Sequence, residues 1–127
     1  MKTKLLLLLA IVVFTPTTSL AADSWSTQDK ALQATTLTLK FIDWRQTRYI
    51  AKNPDDYYEM NPILGKHPST TEVDIYFATT AILNTVITHY LPSKYRPWWQ
   101  AIIITASGTC VINNFSVGLI KSLLTSV

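Results

Sequence analysis

Apolar residues fall into four stretches along this chain, and each stretch has its own pattern. Residues 5–14 form an unbroken run of ten apolar side chains. Residues 31–52 contain no Gly or Pro and read as a helix. At 100° per residue, Leu32, Leu39, Ile42 and Ile50 share one broad face, and Leu37, Phe41 and Trp44 make a second patch. Residues 73–91 hold 12 apolar residues in 19, and residues 98–120 hold 14 in 23. No stretch alternates as a strand would, so the pattern predicts an all-α chain.

The polar residues between these stretches read as start and stop signals. Ser26-Thr-Gln-Asp29 resembles a capping box with Asp in the acidic position, and Ser69-Thr-Thr-Glu72 is a full one. Asn53-Pro54-Asp55-Asp56 places a capping side chain, a first-turn proline and two acids in order. That order predicts a short helix over residues 54–60. Asn61-Pro62 repeats the device for one turn, which Gly65 ends. The expected architecture is a small helical bundle: an amphipathic helix, a broken short-helix segment and a C-terminal two-helix hairpin.

Lys2 and Lys4 precede the first apolar run, Pro16 follows it, and Ser19-Leu20-Ala21 supplies small residues. This is the order of a secretory signal, with cleavage expected after Ala21. Residues 1–21 are therefore the signal, and residues 22–127 form one helical domain. Ten apolar residues are too few to span a bilayer core of about 30 Å. Residues 73–91 and 98–120 are long enough to span, and the turn between them carries Lys94 and Arg96 among Tyr90, Tyr95, Trp98 and Trp99. A basic turn ringed by aromatics suits the inner face of a membrane, which would leave residues 22–72 periplasmic. The alternative is a soluble periplasmic bundle in which both long helices are core.

Two stripes suggest how the last helices meet. Ser107, Cys110, Asn114 and Gly118 recur at three-or-four spacing, and Thr80, Asn84 and Thr88 do the same on the preceding helix.

Charge narrows the partners. The formal charge of +3 falls to +1 without the signal, because Lys2 and Lys4 leave and no acid does. Nucleic acid is not an expected partner. A single cysteine, Cys110, cannot form an internal disulfide and reads as a small packing residue.

Candidate chemistry is confined to scattered polar groups. Asp43 lies on the apolar face of the first helix with Thr47 four residues on, so the hydroxyl can reach the carboxylate. An acid placed there needs a partner or a shifted pKa. Asp43, Thr47, Glu59, Asn61, Asp74 and Asn114 form the expected polar cluster. Asp43, Glu59 and His67 are the candidates for catalysis or metal binding, because carboxylates with one His can hold a divalent ion or move a proton. Hydrolase, nucleotide-binding and zinc-protease motifs are absent from the sequence, and no cofactor is expected.

Several of these residues stand in a recognisable order. Asp43-x-x-Gln46-Thr47, Asn53-Pro54-Asp55, Tyr58-Glu59-x-Asn61-Pro62-Ile63-Leu64-Gly65, His67-Pro68-Ser69, Tyr76-Phe77 and Leu91-Pro92-Ser93-Lys94-Tyr95-Arg96 resemble a family of small uncharacterised membrane or envelope proteins of proteobacteria and their phages. The resemblance covers about residues 43–118. It implies an envelope location and no particular reaction. Members often carry an acid in the last helix near Ser107–Cys110, and this chain has none there.

Two functions are carried forward. The first is a non-enzymatic envelope or inner-membrane protein that acts on another membrane protein or on itself, with phage exclusion or lysis modulation as the role by analogy. The second is a small membrane-associated hydrolase or metal-binding protein built on Asp43, Glu59 and His67.

Overall fold

The computed structural model describes residues 22–119, so the expected signal over residues 1–21 lies outside the described residues. Among the described residues three helices make up the fold: α1 (Thr27–Lys52), α2 (Thr70–Tyr90) and α3 (Arg96–Ser116). Both capping boxes form. Ser26 Oγ accepts from the Asp29 amide at 3.0 Å, and Asp29 Oδ2 accepts from the Ser26 amide at 3.1 Å. Ser69 and Glu72 repeat the exchange at 3.2 and 3.0 Å. Each box satisfies two of the amides that a helix start leaves open. Helix α3 has no side-chain cap; Pro97 at its start needs no acceptor for an amide it lacks.

The segment between α1 and α2 corrects the expectation of short helices. Residues 53–69 form turns and no helix. Asn53 ends α1, its side chain donating to Tyr49 O at 2.8 Å, and the chain then folds back on itself. Glu59 N donates to Lys66 O at 2.8 Å and Gly65 N to Asn61 O at 2.9 Å. Gly65 takes φ 80°, a left-handed conformation that favours glycine. The acids after Pro54 favour a helix start, but too few residues follow before Pro62 to repay helix nucleation, and Gly65 ends the turn three residues after Pro62.

Helix α1 does not fold over one end of a hairpin. It runs the length of the bundle, antiparallel to α2 and parallel to α3. Gln33 Nε2 donates to Thr85 Oγ1 at 2.9 Å near its start, and Arg48 pairs with Asp74 near its end. Toward α3, Gln100 Nε2 donates to Asp29 O at 3.1 Å, and Gln46 Nε2 donates to Val111 O at 3.4 Å. Packing of α2 directly on α3 is slight by comparison. The N-terminal residues accordingly meet the α2–α3 turn: Ser93 N donates to Asp23 Oδ2 at 2.7 Å. Residues 22–26 and this turn share one end of the bundle, whereas the sequence reading put them on opposite sides of a membrane.

The interior is mostly polar. Thr36, Gln46, Thr88, Arg96 and Gln100 have no exposed surface, and Asp29, Gln33, Thr47, Asn84 and Ser107 are also buried. Apolar burial is confined to a small cluster of Leu64, Val73 and Phe77, flanked by Trp44, Ala51 and Tyr76, and to Ile50, Val111 and Leu119. Large apolar residues point outward instead: Trp98 is 74% exposed, Ile112 70%, Ile82 64% and Ile102 62%. The expected stripe Thr80, Asn84, Thr88 does face inward, and so do Ser107 and Asn114. Cys110 does not; it is exposed, one position off the buried line of Gln100, Ser107 and Val111.

Among the described residues no helix is long and apolar enough to cross a membrane. This corrects the expectation for residues 73–91 and 98–120. Thr, Asn, Asp and Gln lower the average over each helix, and α3 ends at Ser116 rather than at residue 120.

One residue ties the ends of all three helices. Arg96 Nε donates to Thr88 O and Leu91 O at 3.0 and 3.1 Å. Its Nη1 donates to Ser24 O at 2.9 Å and Asp29 Oδ2 at 3.2 Å. Its Nη2 donates to Asp23 O at 2.7 Å and His89 O at 2.9 Å. The Trp25 ring lies 5.5 Å from the guanidinium carbon. Replacing Arg96 with Met leaves Asp29 buried without its counter-charge and several carbonyls without the guanidinium donors, at a cost of about 3–5 kcal/mol. Lysine brings three donors where arginine brings five, so Arg96→Lys should recover only part of that. Urea unfolding of both variants checks the order; equal midpoints for Arg96→Met and wild type would refute this role.

Candidate functional site

At the far end from Arg96, the three helices and the 53–69 loop enclose a cavity of about 610 Å³. Helix α1 contributes Asp43, Thr47 and Ile50, and the loop contributes residues 56–62 and Leu64. Phe77 comes from α2, and Cys110, Asn113 and Asn114 come from α3. Val117 and Leu119 close the wall where α3 ends.

Local rules place each polar group. Thr47 Oγ1 donates to Asp43 Oδ1 at 3.4 Å, the four-residue pairing expected on a helix. Asn114 Nδ2 donates to Gln46 Oε1 at 3.0 Å and reaches Asp43 Oδ1 at 3.4 Å. Glu59 Oε1 accepts from the Asn61 amide at 2.8 Å, and Asn61 Oδ1 accepts from the Ile63 amide at 2.9 Å. Both are side-chain turns that fix the loop against the helices.

The electrostatics set Asp43 apart. Burial pushes its carboxyl up to about 7, and the Glu59 carboxylate pushes the same way. Lys40 and the Thr47 hydroxyl oppose them and do not prevail. Desolvation penalises the charged form, and a second carboxylate penalises it again.

Five of the six residues expected to cluster do so: Asp43, Thr47, Glu59, Asn61 and Asn114 line the same cavity. Asp74 does not. It pairs with Arg48 and accepts from Trp44 Nε1 at 2.7 Å, beside a separate apolar groove. His67 is also elsewhere, in a shallow opening with Asp55, Asp56 and Lys66. Asp43, Glu59 and His67 are therefore not brought together. Among the described residues no three His, Cys, Asp or Glu side chains converge to hold a metal ion. At the opposite end, His89 Nδ1 accepts from Trp25 Nε1 at 3.0 Å and Gln100 turns to α1.

Gln46, part of the Asp43-x-x-Gln46-Thr47 motif, was not among the residues expected to cluster. It has no exposed surface and bridges Val111 and Asn114 of α3. Its signal was its place three residues after Asp43, on the inward side of α1.

Glu59→Ala and Asn61→Ala each remove a turn-fixing side-chain bond, so each should cost about 1 kcal/mol. Asp55 is exposed and outside the cavity, so Asp55→Ala should be near neutral. Identical melting temperatures for the three variants would refute the placement of the loop.

Asp43 also makes a pH prediction. Its folded pKa lies above its unfolded value of 3.8, so the native state binds the extra proton between about 4 and about 7. Stability from this group is full below the unfolded pKa and is lost as pH rises through 7. Asp43→Asn should flatten the fall in melting temperature between pH 4 and 8 and stabilise the chain at pH 8. Parallel pH profiles for the variant and wild type would refute it.

Comparison with protein-family models, with curated proteins and with solved structures finds no match to this chain.

Proposed function

We propose that this chain is a non-enzymatic, exported envelope protein that stays with the inner membrane and acts by contact with another envelope protein or with a second copy of itself. The observation that carries the reading is the reversed distribution of side chains. Polar groups fill the seams between helices while Trp98, Ile82, Ile102 and Ile112 face outward. In water, exposed apolar surface costs about 25 cal/mol per Å² relative to burial. Against lipid or an apolar partner that cost vanishes, and the internal hydrogen bonds become the glue.

The hydropathy of single helices does not oppose this. An average along one helix counts Thr, Asn, Gln and Arg equally, whichever way they face. The bundle keeps many of them inside, while large apolar side chains lie on its exterior. One end also carries exposed Tyr90, Tyr95 and Trp98, with Lys94 Nζ 4.8 Å from the Tyr95 ring. Aromatics beside a cation suit the headgroup level of a membrane. Within this reading, phage exclusion or lysis modulation is the role that fits the chain's size and location by analogy, if it is phage-derived.

The hydrolase or metal-binding alternative draws less support, because His67 lies apart from Asp43 and Glu59.

Fractionation of the tagged, full-length chain tests the proposal. The protein is expected in the membrane pellet after a carbonate wash. Ile102→Glu with Ile112→Glu should move most of it to the soluble fraction, since an acid at an apolar membrane position costs about 2.5–3.5 kcal/mol. Circular dichroism of the variant confirms that the helices persist. Wild-type protein in the carbonate supernatant would overturn the membrane reading.

A further inference from the structure

The interaction reading leaves the cavity beside Asp43 without a role. Three carboxylate residues line it, Asp43, Asp56 and Glu59, and among the described residues no Lys, Arg or His does. Asp43 is partly buried and faces Lys40 on its own helix, Glu59 from the loop, Tyr76 from α2 and Cys110 from α3. The remaining walls are largely apolar or aromatic, with Tyr57, Tyr58 and Phe77 among them. At about 610 Å³ the space falls within the range of small-molecule sites.

Each feature constrains the occupant. The Glu59 carboxylate raises the cost of charging Asp43, so a positive charge beside the two acids is favoured. A metal ion needs three or more ligands, and that convergence is missing among the described residues. Aromatic walls attract a cation that carries an apolar body. We propose that this cavity binds a small organic cation: a protonated amine whose N–H groups donate to Asp43 and Glu59, with its apolar body against Tyr57, Tyr58 and Phe77. The charged amine then takes the place of the proton that Asp43 holds near neutral pH, so binding releases a proton to solvent. The proposal rests on the cavity alone and stands apart from the membrane reading.

Calorimetric titration of the purified full-length chain tests it, with 2-phenylethylamine as probe and 2-phenylethanol as its neutral twin. At pH 7 the amine should bind about tenfold tighter than the alcohol, the ratio expected when one charge-assisted contact contributes about 1.4 kcal/mol. Two buffers of different ionisation enthalpy should reveal proton release on amine binding. Asp43→Asn and Glu59→Gln should each erase most of the preference, and Asp43→Asn should also abolish the proton release. Melting temperatures establish that both variants fold. The wild-type ratio of amine to alcohol decides the matter if either variant does not. Equal affinity for the two probes, or undiminished preference for the amine in both folded variants, would overturn the proposal.

Discussion

The burial of the Arg96 guanidinium holds this bundle together. A buried cation is tolerable only when every N–H has an acceptor and a counter-charge is close. Here the acceptors come from Asp23, Ser24, Asp29, Thr88, His89 and Leu91, so one side chain joins the N-terminal segment, the start of α1 and the end of α2. Asp29 does two jobs: it closes the capping box of α1 and neutralises Arg96. The register of α1 against α3 follows from that contact. Once Asp29 meets Arg96, Gln33 lies beside Gln100, and Gln46 reaches Val111 and Asn114 further along.

That register explains the unusual interior. Apolar packing tolerates sliding, because dispersion has little direction. Paired amides and hydroxyls do not slide, because a buried group left unmatched costs its desolvation. A seam of Gln33, Gln46, Gln100 and Asn114 therefore specifies one alignment of helices. It also leaves few inward positions for large apolar side chains, so Ile82, Ile102, Ile112, Trp98 and Phe41 occupy the outside. The apolar exterior is the geometric complement of the polar seam.

The candidate site was partly legible before the fold was known. Asp43 stood out because an acid on an apolar helix face needs an explanation, and the structure supplies one in Thr47, Asn114 and Glu59. Glu59 and Asn61 were legible through the Asn-Pro turn chemistry. His67 and Asp74 were misplaced, for a physical reason. Their positions depend on how the 53–69 turns bend and on where α1 lies, and neither is written in local periodicity. Asp74 finds Arg48 and Trp44 because α1 runs beside α2. Cys110 went the other way: a small apolar residue in an apolar helix suggested burial, but the Arg96 register turns the Gln100–Ser107–Val111 line inward instead.

By itself, the sequence determined what short-range physics controls. Capping boxes at Ser26 and Ser69 fix the starts of α1 and α2, and the stop at Asn53 fixes the end of α1. Each of those signals is complete within about four residues, so no distant partner can change it. Only the tertiary structure decided which faces meet. It placed α1 between the other two helices, brought the N-terminal segment to the α2–α3 turn, turned polar side chains inward, and gathered Asp43, Glu59 and Asn114 around one cavity. Those outcomes rest on pairings across 65 to 73 residues of sequence, such as Gln46 with Val111 and Arg96 with Asp23. No window of local pattern spans that distance, and the energy of each pairing exists only once the helices are side by side.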